Sequence, residues 1–400
     1  FGLQWNAVAD IASPYQFDYI TWEAGAIARK VDQTLFGLHP FMTESARIQF
    51  IRAYMADLAA AQTIESQINT VFTDPAVPDP ETASSDLRAN RDTLRMSLLA
   101  RQSIAEAILE GQVAQLLVEQ GFATLGQVLP PVSAHFTRVP NLLVVSPRDR
   151  IRFDISINLN PMTTDQIDSL EQRIAVEQGM SALIVPLGGI ALYPAMVLET
   201  ASIPYALDTI AHEWLHHYLF FFPLGLQYFN GESFVGETRT INETTAVLFG
   251  QQMSRLTLAR YYPDLLTAAA PGLIKPVAQT ASQPFDFAAE MDRTRRRVDE
   301  LLAGEQVAEA EAYMEERRAL FVSNGYLIRK LNQAYFAFYG GYQAGGTASA
   351  AGADPIGPAI RLILETSPTL QDFVVTMRAI TSREQLLAIR DQRLATRQSS

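Results

Sequence analysis

The chain of 400 residues is acidic and free of cysteine, with a formal net charge of −12 and 48% hydrophobic residues. This composition is typical of a globular chain that buries a sizeable core, rather than of a disordered one. The negative charge argues against nucleic acid or an anionic membrane as the main partner, and the lack of cysteine excludes disulfides, thiolate zinc ligands and a cysteine nucleophile.

Two long helical patterns occupy the N-terminal part of the chain. Apolar residues recur three or four positions apart from about Thr43 to Val71, and a second helical run extends from Ser85 to Glu119. Because a proline-rich break at residues 73–81 separates the two runs, the sequence predicts a helical hairpin. The favoured interpretation is a packing buttress, and a substrate gate is the alternative.

From about Asn141 the pattern changes to that of strands. Residues 142–145 are apolar, residues 151–159 alternate cleanly, and residues 181–198 provide one or two further strands. Pro186 and Pro194 place part of the last segment on an edge or at a bulge, because proline cannot donate to a sheet ladder. Such an edge could pair with an extended peptide, or it could equally be an ordinary edge strand without a ligand.

The strongest functional signal is the sequence His-Glu-Trp-Leu-His at 212–216. His212 and His216 are four positions apart and share one helix face, so both imidazoles can reach one metal ion. Glu213 lies beside them, where it can take a proton from metal-activated water, the general-base role that this motif has in metalloproteases. A metzincin would continue with glycine at 219 and histidine at 222. The chain has Leu219 and Phe222 there, which excludes that group.

Three downstream glutamates are candidates for a third metal ligand. Glu232 and Glu237 fall in a glycine-containing segment that has the composition of a loop. Glu243 begins a helical run, and the small Ala246 one turn later allows close helix approach. We therefore predict that His212, His216 and Glu243 bind zinc, with the fourth position left open for water as in a catalytic site.

The pattern His212-Glu213-x-x-His216 followed by Asn242-Glu243-x-x-Ala246 resembles the gluzincin metallopeptidases, in which the motif histidines and a glutamate from a following helix bind zinc. The resemblance covers about forty residues. His216 and Glu243 are farther apart in sequence than is usual in the aminopeptidase branch, which predicts an inserted loop around 222–236.

A second likeness concerns the C-terminal part of the chain. Residues 293–342 are similar to the C-terminal helices of a bacterial family of predicted aminopeptidases. A carbonyl oxygen that gains negative charge during hydrolysis needs a hydrogen-bond donor. This likeness ranks Tyr342 first for that role, with Asn332 on the same run.

Other polar side chains rank lower as site residues. Asp208 would orient an imidazole through its second nitrogen, or would serve only as an acidic residue near a helix start. His217 points about 140° away from His212 around the helix, so we expect it outside the ligand set. We expect the remaining candidates to have packing or structural roles: Tyr326, Tyr335, Tyr339, His39 and His135.

Together these features predict an α+β, mainly helical fold with a gluzincin-like zinc-peptidase core, a small mixed sheet and an N-terminal helical hairpin. A helical N-terminal region at 1–125 would precede a zinc hydrolase region at 126–400. The latter would contain strands at 141–200, zinc helices at 204–260 and C-terminal helices at 285–394.

The expected function is zinc-dependent hydrolysis of a peptide or protein substrate, with Glu213 and Tyr342 catalytic and Zn²⁺ as the cofactor. The alternative is a catalytically inactive zinc-binding scaffold or interaction protein. A scaffold would tolerate Glu213→Gln, whereas an enzyme would lose turnover and keep its metal.

No segment is predicted to span a membrane, because the longest apolar stretch, residues 182–198, is short and contains proline and glycine. The chain begins with Phe1, which leads to the hypothesis of an extracytoplasmic, secreted or membrane-tethered protein whose N-terminal signal or anchor has been removed. A cysteine-free chain suits an oxidising space of that kind.

Overall fold

The computed structural model describes residues 2–36, 41–74, 76–229, 236–268 and 285–399. Helices make up 67% and strands 9% of the structure, so the predicted α+β, mainly helical class is confirmed. Glu232, His39 and most of the Ala-, Pro- and Gly-rich stretch at 267–284 lie outside the described residues.

The N-terminal part is helical and contains the predicted hairpin. Helices α1 (Gly2–Ala12) and α2 (Tyr19–Phe36) come first. The hairpin consists of α3 (Glu44–Thr73) and α5 (Ser85–Glu119), and the short α4 (Pro80–Ala83) lies between them. Helix α3 begins where the Thr43 side chain accepts a hydrogen bond from the backbone N–H of Ala46.

Eight short strands form one two-stranded and two three-stranded sheets within the described residues. They are β1 (Ala123–Thr124), β2 (Gln127–Val128), β3 (Ala134–Thr137), β4 (Asn141–Ser146), β5 (Ile155–Leu159), β6 (Ser181–Pro186), β7 (Gly189–Ile190) and β8 (Ala195–Leu198). One three-stranded sheet is antiparallel with the order β5-β4-β6, and the other is mixed with the order β3-β8-β7. Helix α6 (Thr164–Gln178) lies in the chain between β5 and β6.

The predicted strands are present, but residues 181–198 contain three short strands rather than one or two, and β1, β2 and β3 precede the predicted start of the strand region. The predicted strand at 151–159 is shorter, because the Ser146 hydroxyl donates to the carbonyl of Arg150 and accepts from the N–H of Arg152, which holds this segment in a turn. Pro186 ends β6, an edge strand of its sheet, and Pro194 lies in the loop before β8. The proline-based edge prediction therefore holds for Pro186.

The rest of the described chain is helical. Helix α7 (Ile203–Leu219) contains the histidine motif, α8 (Pro223–Phe229) follows it, and α9 (Glu237–Tyr261) packs along α7. The later helices are α10 (Phe287–Ala303), α11 (Val307–Ser323), α12 (Gln333–Tyr339), α13 (Ile356–Glu365), α14 (Leu370–Met377) and α15 (Arg383–Ser399).

The largest hydrophobic cluster joins the hairpin to the helices that carry the motif. It includes Leu58 of α3, Leu109 of α5, Trp214 of α7, Phe249 of α9 and Ile360 of α13, all fully or almost fully buried. The hairpin thus shares its core with α7 and α9, which supports the buttress interpretation. None of the described helices is both long enough and apolar enough to cross a membrane.

Candidate metal centre

Helix α7 brings the two motif histidines together. It begins where the Ser202 side chain accepts from the N–H of Tyr205, with Pro204 in its first turn, a common position for proline. One helical turn separates His212 from His216, and their Nε2 atoms lie 3.1 Å apart. Both imidazoles therefore present the same nitrogen to one point beside α7.

Helix α9 adds a carboxylate at that point. Oε2 of Glu243 lies 3.6 Å from Nε2 of His212 and 3.6 Å from Nε2 of His216. Burial would raise the pKa of Glu243, but the two histidines and Arg239 hold it well below its usual range. Glu243 is therefore an ionised carboxylate in a buried place, as a metal ligand must be.

The spacing of the three atoms fits a zinc ion. The sides of 3.1, 3.6 and 3.6 Å are close to the spacing of about 3.3–3.5 Å between donor atoms around a tetrahedral zinc ion. Two neutral imidazoles and one carboxylate form the donor set of catalytic zinc sites, which leave one position open. The residues present thus match zinc both in chemistry and in separation.

Glycine sets the close packing that places Glu243 opposite the histidines. A Cβ atom on Gly250 of α9 would lie 2.5 Å from Oδ1 of Asp208 and 3.3 Å from Cβ of His212. Ala246, the small residue predicted to allow close helix approach, is fully buried, and Gly250 one turn later packs against the start of the motif. A larger residue at Gly250 would push the two helices apart.

Glu213 is buried beside the histidines and touches the edge strand. A Cβ atom on Gly189 of β7 would lie 2.3 Å from Oε1 of Glu213, so the strand backbone runs directly against this carboxyl group. Burial raises the pKa of Glu213 to about 7, with the charge of Glu243 adding to the rise and His212 opposing it. A carboxyl group near neutrality can both accept and return a proton.

Glu213 is also the competing candidate for the third ligand. His212, Glu213 and His216 each place one ligand atom within 4.8 Å of the others. Oε2 of Glu243 is nearer, at 3.6 Å from both imidazole nitrogens. Distance alone therefore makes Glu243 the better placed of the two carboxylates to share a metal ion with the imidazoles.

Strand β7 is the last strand in the order β3-β8-β7, so one of its edges is not used within that sheet. His217 fixes the loop that follows β7, because its Nε2 lies 2.7 Å from the carbonyl of Leu192. Tyr193 of the same loop packs edge-on against the His217 ring, with 5.5 Å between centroids. His217, expected outside the ligand set, thus connects the edge strand to α7.

Two residues at this centre escaped the sequence analysis. The hydroxyl of Tyr228 on α8 donates to Oε1 of Glu243 at 2.7 Å, and its ring stacks on His216 with centroids 5.4 Å apart. Arg239 places Nη2 3.9 Å from the same Oε1 and is only 4% exposed. Arg239 stands one helical turn before Glu243, a spacing that could have indicated it, whereas no local pattern pointed to Tyr228.

Tyr342 approaches the centre from the C-terminal part of the chain. Its hydroxyl accepts a hydrogen bond from Nη2 of Arg239 at 3.4 Å. Burial and the charge of Glu243 raise the pKa of Tyr342, and Glu213 contributes in the same direction. The hydroxyl therefore stays protonated and can act as a hydrogen-bond donor.

The other predicted candidates have different surroundings. Glu237 is exposed at the start of α9 and pairs with Arg383 at 2.8 Å, so it is not in the centre. Burial raises the pKa of Asp208 to about 6, and among the described residues Asp208 makes no hydrogen bond to His212. Nδ1 of His135 lies 2.9 Å from Oε1 of Glu106, so His135 pairs with a residue outside the motif.

The C-terminal candidates other than Tyr342 have structural contacts. Asn332 caps α12 by accepting from the N–H of Tyr335, and it donates to the carbonyl of Ala182. Tyr326 and Tyr335 are buried in a second hydrophobic cluster, and Tyr339 packs against it. These residues therefore hold α12, and with it Tyr342, in place.

No protein-family model matches the chain, and neither a curated protein nor a solved structure does. The function of this centre must therefore be inferred from its own residues.

Proposed function

We propose that the chain is a zinc-dependent hydrolase, and specifically a gluzincin-like metallopeptidase. The observation that supports this most is the triangle formed by His212, His216 and Glu243, whose size matches zinc, with Glu213 buried beside it. The donor set leaves a position for water and substrate, which a purely structural zinc site does not have.

Zinc, when bound by these three residues, would supply Lewis-acid polarisation and lower the pKa of water. Glu213 accepts the proton of the attacking water and later delivers it to the leaving amine. Glu213 is placed for both transfers because its carboxyl group is buried directly beside the two imidazoles.

Two other features would act on the substrate. The Tyr342 hydroxyl donates a hydrogen bond to the carbonyl oxygen as negative charge develops there. Strand β7 offers backbone groups beside Glu213, where an extended peptide can add as a further strand. This edge favours a peptide over a small ester or amide, because an extended backbone is what it can pair with.

The proposal is tested by digestion of a mixed peptide library, with products identified by mass spectrometry. Zinc-loaded wild type is compared with Glu213→Gln and with Glu237→Gln, a control on the exposed start of α9. We expect cleavage by wild type and by the control, and loss of most cleavage in Glu213→Gln. The positions cut would also distinguish removal of end residues from internal cleavage.

Two results would contradict the proposal. Absence of any cleavage by zinc-loaded wild type would remove the peptidase assignment and favour the inactive scaffold. Cleavage by Glu213→Gln at the wild-type rate would show that Glu213 is not the general base.

A further inference from the structure

The two oxygens of Glu243 have different neighbours. Oε2 faces Nε2 of His212 and His216 at 3.6 Å. Oε1 points the other way, accepting from the Tyr228 hydroxyl at 2.7 Å with Nη2 of Arg239 at 3.9 Å. The carboxylate is therefore held by one oxygen, and the other is directed at the imidazoles.

Tyr228 also contacts a second member of the triangle. Its ring lies nearly parallel to that of His216, at an interplanar angle of 18°. Nδ1 of His216 is buried without a hydrogen-bond partner among the described residues. A metal-binding histidine is usually oriented by a hydrogen bond at its second nitrogen. For His216, the stacked Tyr228 ring is a contact that can orient the imidazole, together with the edge-on ring of His212.

Tyr228 reaches this place because α8 folds back tightly onto the end of α7. A Cβ atom on Gly225 would lie 2.0 Å from the carbonyl oxygen of Leu219, so only glycine allows this approach. The N–H of Leu224 is in turn bonded to the carbonyl of Arg378. The segment between α7 and α9, predicted as an inserted loop, thus contains a packed helix that faces the centre.

Arg239 also has several contacts that fix its side chain. Its guanidinium lies over the Phe153 ring, 4.0 Å from the centroid, and donates to the Tyr342 hydroxyl. A Cβ atom on Gly341 would lie 2.5 Å from Nη1 of Arg239, so the backbone closes around the side chain. A buried guanidinium needs a nearby carboxylate, and Glu243 is one turn away on the same helix.

We propose that Tyr228 and Arg239 form a clamp on Oε1 of Glu243, and that Tyr228 thereby positions both Glu243 and His216 for the metal. Both are positioning residues. The proposal rests on the proposed function for the identity of the metal, but it concerns a property that can be measured without substrate, namely zinc affinity.

The clamp predicts that zinc affinity depends on the Tyr228 hydroxyl. Loss of a hydrogen bond that orients a metal ligand typically weakens metal binding about 10- to 100-fold. Tyr228→Phe removes the hydroxyl and keeps the ring that stacks on His216. Tyr262→Phe is the matched control, because its buried hydroxyl bonds to Gln112 at 3.0 Å, away from the centre.

The experiment measures zinc dissociation constants by competition with a chromophoric chelator for wild type and both variants. We expect Tyr228→Phe to bind zinc about 10- to 100-fold more weakly than wild type, and Tyr262→Phe to match wild type. Visible absorption of the cobalt(II)-loaded proteins is the second measurement. Its bands should change in Tyr228→Phe, because the Glu243 carboxylate is free to turn, and should stay the same in the control.

The outcomes separate the clamp from the proposed function. Zinc affinity and cobalt bands equal to those of wild type in Tyr228→Phe would overturn the clamp and leave the zinc hydrolase proposal standing. Failure of wild type to bind zinc at all would overturn both. Circular dichroism of each variant checks that a change in affinity does not come from unfolding.

Discussion

The carboxyl group of Glu213 lies against the backbone of Gly189, so closely that a Cβ atom there would come within 2.3 Å of Oε1. A side chain at position 189 would also meet Cγ2 of Thr209 at 2.8 Å. Thr209 and Glu213 are on the same face of α7, one turn apart. A side chain at position 189 would therefore have to displace either the helix or the Glu213 carboxyl group. The edge strand and the proposed base therefore fix each other's position.

Gly189→Ala should displace Glu213 and slow the reaction. A displacement of about 1 Å at a reacting group can cost on the order of 10²-fold in rate, so we expect kcat to fall by about that factor with zinc still bound. The measurement is kcat on a peptide selected from the library, together with zinc content. Gly111→Ala is the control, since a Cβ at this position of α5 meets no atom within 4 Å. Wild-type kcat in Gly189→Ala would show that the contact does not position the base.

Tyr342→Phe tests the proposed donor to the carbonyl oxygen. Loss of one such donor typically costs about 10²- to 10³-fold in kcat, and we expect KM and zinc content to change little. The matched control is Tyr335→Phe, which also removes one buried hydroxyl but keeps the ring that packs in the second hydrophobic cluster and holds α12. A normal kcat in Tyr342→Phe would show that Tyr342 is not the donor to the carbonyl oxygen.

Glu106 of α5 is buried between Lys30 of α2 and His135 of β3, and its ionisation makes stability depend on pH. Burial would raise the pKa of Glu106, but Lys30 and His135 lower it to about 2. A depressed pKa means that the folded state favours the ionised form, so this stabilisation is fully present above about pH 4.5 and is lost as the pH falls towards 2.

Glu106→Gln should therefore lower the free energy of unfolding at neutral pH by on the order of 3 kcal/mol, and the difference from wild type should shrink below about pH 4.5. Urea unfolding at several pH values measures this difference. Glu316→Gln, at an exposed position of α11, is the control. A difference between Glu106→Gln and wild type that grows on acidification would contradict the assigned sign.

The parts of the site that follow helical spacing could be predicted from sequence. His212 and His216 share a face because of the helix period, and the helical pattern after Asn242 predicts that Glu243 is on a helix. The helix itself begins earlier than this pattern indicates, at Glu237. The hairpin was recognised because a proline-rich break separates two periodic segments. In each case the signal is local, so a single sequence contains it.

The parts that depend on tertiary packing could not be predicted. Tyr228 reaches Glu243 only because α8 folds back on α7 at Gly225, and the sequence there indicated a loop. The parallel pairing of β3 with β8 joins segments about sixty residues apart in the chain, and β7 has only two residues. Nothing in the local sequence pattern of β3, β7 or β8 specifies which strand it pairs with.

The most direct test of the zinc assignment is the zinc content of purified, metal-loaded wild type, Glu213→Gln and Glu243→Ala, measured by mass spectrometry of the metal. If Glu243 is the third ligand and Glu213 the base, wild type and Glu213→Gln should each hold about one zinc ion per chain, and Glu243→Ala should lose most of it. Loss of zinc from Glu213→Gln, with zinc retained by Glu243→Ala, would contradict this arrangement and make Glu213 the ligand.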